Sequence, residues 1–279
     1  MAIRDLRPTS AGELFIGGAA RRGTVDSRRL PLYAAGEIDV PFVISGQDEV
    51  ISRDTLWEKH SHPTHELLWN QRGASSAAIG MRVWTITPTV GLWIPAGIPH
   101  SGWTPTGTWH RAAQFSIHAV PSISDDPVAV DITPLLGLLL GRLNTDGLTA
   151  DSRAKTEAIV LDLIAPAQHE LFLQIPESSL LAPIVAAVRA DPAETTTLAT
   201  WATRLGVSTR TLTRAFRFET GLGFSQWLAT ARVQHAVSML TRGDEIDEVA
   251  ACVGYHSVSA FSTAFRRIVG MSPGRFRAQ

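Results

Sequence analysis

The chain has 279 residues, of which 44% are apolar and 18% charged, with a formal net charge of −1 at pH 7. This composition excludes a disordered chain and suits a globular protein large enough for two domains. A single cysteine, Cys252, excludes a disulfide framework and fits a reducing, cytoplasmic setting; it lies in an apolar helical stretch and is expected to pack there.

The opening residues, "MAIRDLRPTS", lack the apolar centre of a secretory leader, so none is expected. The most apolar run, "PLLGLLLG" from Pro134 to Gly141, is far short of the roughly 20 residues that cross a bilayer, so no membrane partner is expected.

The first half reads as short strands. "HELLWNQRG", "ASSAAIG", "MRVWTITPTVG", "LWIPAGIPHSGW" and "WHRAAQFSIHAV" are apolar or alternating runs cut by glycine and proline. Such spacing points to a β-sandwich or barrel. Most of the eight tryptophans fall between Trp57 and Trp109, which favours an aromatic-lined interior.

"HSHPTHELLW", residues 60–69, carries three of the nine histidines and a glutamate. In one continuous strand, His60, His62 and Glu66 share a face and His65 points away into solvent. Two imidazoles and a carboxylate on one face suit a divalent metal such as Zn, Fe, Mn or Ni. Downstream, Pro95 and Gly97 predict a tight turn that presents His100. His110 and His118 lie on a later strand with no spacing that ties them to the cluster. The residues alone leave three readings open: a metal site, a pocket for an organic effector, and packing.

After a loop at Asp125–Pro127, Pro134 is placed to start a helix through Leu143. A second helix is predicted over Asp151–Ala165, with Ile159, Val160, Leu163 and Ile164 apolar. A third is predicted over Leu180–Arg189.

The last third repeats itself. "LATWATRLGVSTRTLTRAFRFETG" (198–221) and "IDEVAACVGYHSVSAFSTAFRRIVG" (246–270) each hold an apolar stripe of helical spacing, a glycine stop and a second helix. Helix, short turn, helix is the unit whose second helix enters the DNA major groove. Subtracting the buried positions leaves Ser208, Arg210, Thr211, Thr213, Arg214 and Arg217 for the groove in the first copy. The second copy leaves Ser257, Val258, Ser259, Ser262, Thr263 and Arg266. "FSQWLATARVQHAVSML" (224–240) reads as one helix joining the copies. From Thr195 onward there are ten arginines, no lysine and five acids, a net +5 against −6 for the rest, so the basic end is the part expected to meet a polyanion.

Residues 180–277 resemble the DNA-binding domain of the AraC family, down to the closing Gly270, Ser272-Pro273 and Phe276-Arg277. The resemblance implies two tandem helix-turn-helix units on double-stranded DNA, a sequence-specific transcriptional regulator, and base reading by Arg210, Thr213 and Arg214, then by Val258, Ser259 and Thr263. Many relatives carry arginine where Thr263 stands, so the second unit is expected to grip phosphate more than read bases.

Residues 30–120 resemble the cupin fold, with a first motif of His60, His62, Glu66 and Gly73 and a second of Gly91, Pro95, Gly97 and His100. This implies a jelly-roll barrel and one divalent metal per chain on His60, His62, Glu66 and His100. Some cupins are dioxygenases or isomerases, so a metal-dependent enzyme tethered to DNA is the alternative. The DNA reader gives a complete role without turnover, and no catalytic residues are expected. The fold class is thus α+β in two domains: a sensor barrel over 1–125, a helical connector over 126–178 suited to homodimerisation, and an all-α DNA-binding domain over 179–279. A metal or small-molecule effector is the expected signal.

Overall fold

A computed structural model describes residues 25–168 and 170–278. The expected absence of a leader concerns residues outside that range. The described chain is β-rich to residue 131 and mainly helical after it.

Two sheets face each other. The six-stranded sheet contains β1 (Asp26–Arg28), β3 (Thr55–His60), β8 (His100–Thr104), β5 (Ser75–Ile79), β6 (Arg82–Ile86) and β11 (Phe172–Gln174), in that spatial order. The five-stranded sheet contains β10 (Val128–Asp131), β7 (Val90–Ile94), β4 (His65–Arg72), β9 (Trp109–Phe115) and β2 (Ile44–Val50). All pairings are antiparallel except β1 with β3. The strand runs expected between residues 65 and 120 are all present. Five further strands lie outside those runs: β1, β2 and β3 precede residue 61, and β10 and β11 come from the stretch after residue 125 and extend one sheet each.

Alternation explains the layers. In β9, Arg111, Ala113 and Phe115 are buried on one face, while His110, Ala112 and Gln114 face a cavity between the sheets. Behind the five-stranded sheet lie α1 (Pro134–Leu143) and α2 (Ala150–Leu163), capped by Thr133 and Thr149. They share an apolar core with Ile44, Leu67, Trp93 and Phe115. The faces of α2 differ from expectation in one respect. Val160 and the C-terminal Ile164 are buried, but Ile159 is exposed, because Thr156 and Glu157 take the inward turn.

The C-terminal helices are α3 (Ala182–Ala190), α4 (Leu198–Arg204), α5 (Thr209–Thr220), α6 (Phe224–Leu240), α7 (Ile246–Cys252), α8 (Val258–Val269) and α9 (Pro273–Arg277). The 17-residue α6 is about 26 Å long and serves two cores. Trp227 and Ala231 pack with Trp201, Ala202, Leu212 and Phe216. Val233, Ala236, Val237 and Leu240 pack with Val249, Val253, Phe261 and Phe265. Cys252 is exposed, not packed: the inward positions at this end of α7 are Val249, Ala250 and the capping Val253, and Cys252 falls off the face they share.

The helices dock on the free end of the six-stranded sheet. Val83 of β6 and Leu173 of β11 belong to the same apolar cluster as Trp227. Gln234 Nε2 donates to the Val83 carbonyl at 2.9 Å, and Trp227 Nε1 donates to the Gln174 carbonyl at 2.8 Å. Glu219 of α5 accepts the Glu177 and Ser178 amides at 2.9 and 3.0 Å.

Candidate metal centre and nucleic-acid interface

Four side chains converge at one end of the cavity. His60 ends β3 and His100 begins β8, and the two are directly opposed in register, with ring centroids 4.3 Å apart. His62 sits beyond the end of β3, with its ring centroid 5.0 Å from that of His60. The Gly97 amide donates to the His62 carbonyl at 2.8 Å, which ties the turn bearing His100 to the segment bearing His62. Gly97 has φ +76, and a Cβ there would come within 2.8 Å of the Ala35 nitrogen, so glycine is required on two counts. Glu66 projects from β4 of the opposite sheet.

The strand alternation expected for residues 60–66 is not how they meet. Residues 61–64 are outside any strand, and the chain crosses there from one sheet to the other. His62 and Glu66 converge because the sheets face each other. His65 is likewise not solvated. It is buried against Trp93 at 5.3 Å and accepts the Ala96 amide on Nδ1 at 3.0 Å.

The donor atoms are prepared for a cation. His60 Nδ1 lies 2.6 Å from the Glu58 carbonyl and His100 Nδ1 lies 3.1 Å from the Ile98 carbonyl. Each carbonyl can only accept, so Nδ1 carries the proton and Nε2 offers its lone pair. One ligand atom from each of His60, His62 and His100 lies within 4.8 Å of the others. The Glu66 oxygens approach His62 Nε2 at 3.3 Å and His100 Nε2 at 3.2 Å. Even so, His62 Nε2 and Glu66 Oε2 are buried without a hydrogen-bond partner. Orphaned buried polar atoms are costly, and a cation among these four groups would satisfy them together. Gln114, opposite Glu66 on β9, donates to Glu66 Oε1 at 2.7 Å and is itself hydrogen-bonded to Thr64.

Electrostatics favour free donors at His60, His62 and Glu66 and oppose one at His100, where a cation would have to displace the proton that Glu66 stabilises. Burial lowers His60 to about 4, helped by His100. Burial also lowers His62. Burial raises the Glu66 carboxyl, but His100 and the other imidazoles outweigh it and hold the group below the usual carboxylate range. Burial pushes His100 down, but the Glu66 carboxylate beside it holds it above its usual value. His65, His110 and His235 are also lowered by burial.

A pH dependence follows for metal-free protein. Five imidazoles bind protons more tightly in the unfolded chain than in the folded one. Their contribution to stability is present above about pH 6.5 and is lost as pH falls toward their folded values, near 4 for His60. His100 alone acts in the opposite sense. The melting temperature of metal-free protein is therefore expected to fall between pH 7 and pH 5. A flat or rising melting temperature would contradict it.

The cavity beside the cluster is about 400 Å³ and mainly apolar. Trp57, Phe42, Leu68, His110 and Gln114 line it; Trp57 fits the aromatic-lined interior expected, His110 lacked any spacing that tied it to the cluster, and Phe42, Leu68 and Gln114 were not singled out from the sequence. Alternation along "WHRAAQF" was the available signal for His110 and Gln114.

The groove residues fall on α5 and α8. Arg210, Thr211, Arg214 and Arg217 are exposed, as are Val258, Ser259, Thr263 and Arg266; Thr213 and Ser262 are half-buried. Ser208 and Ser257 cap these helices, accepting the Thr211 and Ala260 amides at 3.1 and 3.2 Å. Thr213 and Thr263 donate their hydroxyl protons back to Thr209 and Ser259 at 2.9 Å, leaving acceptor lone pairs and a methyl outward. The turns pass through Gly206 and Gly254, at φ +65 and +78. The second turn holds one residue more than the first, as its sequence predicts.

A cavity-bearing β domain joined to paired helix-turn-helix units defines a ligand-responsive DNA-binding regulator. Two family profiles agree: "AraC-like ligand binding domain" matches residues 49–161 and "Helix-turn-helix domain" matches residues 201–279. The chain belongs to the AraC family of transcriptional regulators.

It is 28% identical to the HTH-type transcriptional regulator NimR of Escherichia coli (strain K12), over 87% of this chain and 89% of NimR. It is 30% identical to the HTH-type transcriptional regulator RipA of Corynebacterium glutamicum, over 75% of this chain but only 61% of RipA. Both relatives are regulators, not enzymes. Among solved structures, the DNA-binding domain of AdpA in complex with a target DNA is 40% identical over 36% of this chain and 92% of that one, with a TM-score of 0.34. ToxT from Vibrio cholerae is 13% identical over 85% of this chain and 98% of that one, with a TM-score of 0.36. Family membership rests on the sequence matches. No helix among the described residues is long and apolar enough to cross a membrane.

Proposed function

We propose that this regulator senses a divalent metal, or a small molecule held on one, in a cupin-type barrel whose described strands begin at Asp26 and include β10 and β11. The metal, one per chain, sits on His60, His62, Glu66 and His100. The observation that carries the reading is the convergence of three imidazoles on a buried carboxylate, with orphaned atoms at their centre and two of the rings oriented by backbone carbonyls. Zn, Fe, Mn and Ni all suit this donor set, and cellular supply decides among them.

Residues 179–279 bind double-stranded DNA, with α5 and α8 in successive major grooves. Arg210, Thr211, Thr213, Arg214 and Arg217 act with the cap Ser208; Val258, Ser259, Ser262, Thr263 and Arg266 act with the cap Ser257. Arg214→Ala is expected to cost about 1–3 kcal/mol of binding and to relax sequence preference. Equal weakening on every sequence in a binding titration would make Arg214 a phosphate contact instead.

The connector, residues 126–178, supplies a homodimer contact. Leu135, Leu138 and Ile159 expose apolar surface on α1 and α2, with Leu138 at 74%. An isologous dimer there would match paired DNA half-sites. Metal binding links the two sheets, because His60 and His100 lie on one and Glu66 on the other. The reader docks on the first sheet, through Gln234 and Trp227. The connector packs on the second. A cation that draws the sheets together would shift reader against dimer contact, giving the differential affinity that coupling requires.

The test is the DNA affinity of the full chain on a selected operator, with each metal added and after chelation. A change of several-fold supports metal sensing. No change with any metal sinks the sensing role and leaves DNA binding intact.

A further inference from the structure

Phe218 is 92% exposed, the highest exposure of any large hydrophobic side chain among the described residues. A single exposed apolar residue ordinarily needs no explanation. The position of this one does. At about 100° per residue, Arg210, Thr211, Arg214, Arg217 and Phe218 of α5 fall within an arc of about 120°. The buried Leu212 and Phe216 occupy the opposite side. Phe218 therefore belongs to the outward stripe of the helix, one turn after Arg214. The three arginines of that stripe form no ion pair among the described residues.

Any partner that covers Phe218 must also accept these guanidinium groups. An apolar protein surface would strand them. The DNA major groove accepts both, because its phosphates and guanine edges take arginine and its one apolar feature is the thymine 5-methyl. Base pairs stack about 3.4 Å apart and a helical turn advances about 5.4 Å, so residues one turn apart on a groove-lying helix address neighbouring pairs.

We propose that Phe218 packs against the 5-methyl of a thymine beside the base pair read by Arg214, and so sets sequence preference at that position. This rests on α5 lying in the major groove.

The experiment selects an operator from random DNA with the full chain, then replaces each thymine of the half-site by deoxyuridine, which removes only the methyl. Wild type, Phe218→Ala and Arg214→Ala are titrated on each duplex. One such replacement is expected to weaken wild-type binding about fourfold, the worth of one buried methyl. The same replacement should leave Phe218→Ala unaffected. The inference falls if no replacement affects wild type, or if the loss persists in Phe218→Ala. It also falls if Phe218→Ala binds every duplex as wild type does yet fails to regulate transcription, which would assign the side chain to a protein partner. Arg214→Ala separates the two levels. If it weakens binding while the replacements do nothing, only the thymine contact is wrong. If it too has no effect, α5 is not in the groove.

Discussion

Protein purified without chelator is expected to carry about one divalent metal per chain, and the His62→Ala variant none. His62 is the variant of choice because it is the least buried of the three imidazoles and lies outside the strands. His60 and His100, by contrast, form a cross-strand pair whose loss would disturb β3 and β8. The variant loses one of the four proposed ligands, and no neighbour replaces it: His65 is held by the Ala96 amide and packed on Trp93. Gln114→Ala should weaken the metal by about 10- to 100-fold without abolishing it, because Gln114 only orients Glu66. Elemental analysis of the three proteins decides. Metal in neither wild type nor variant, even after reloading, would leave an organic-ligand pocket or a packed histidine cluster.

Trp227→Ala is expected to destabilise the protein by about 3–5 kcal/mol, the usual cost of truncating a fully buried aromatic residue. Trp227 packs 5.4 Å from Phe216, and its indole nitrogen donates to Gln174 in β11. The substitution therefore opens a cavity in the first helix-turn-helix unit and orphans a carbonyl of the adjoining sheet. Urea denaturation would show it, and a loss below about 1 kcal/mol would mean the site relaxes far more than a packed core allows. Phe218→Ala, at the opposite extreme of burial, should lie within about 0.5 kcal/mol of wild type.

The helical third was legible because its information is local. Stripes such as Trp201 with Ala202 and Val249 with Ala250, and stops at Gly206 and Gly254, are properties of a few consecutive residues. Propensity and periodicity report them directly. The same reasoning misplaced Cys252, because membership of an apolar helix does not say which way one residue faces. His65 was misplaced for a related reason. Alternation assumes one continuous strand, and the chain changes sheets at residues 61–64.

The sequence by itself determined the strands between residues 65 and 120, the paired helix-turn-helix units, the basic end and the four candidate ligand types with their glycine turns. Each is set by spacing along the chain. Only the tertiary structure decided that Glu66 meets His60, His62 and His100 from an opposing sheet, that Gln114 orients it, and that α6 docks on β6 and β11 through Gln234 and Trp227. Apart from Glu66 with His60 and His62, which are near in sequence but held on different sheets or the crossing between them, those contacts join residues 34 to 151 positions apart. Their formation depends on how the two sheets and the helices pack, which no local pattern records.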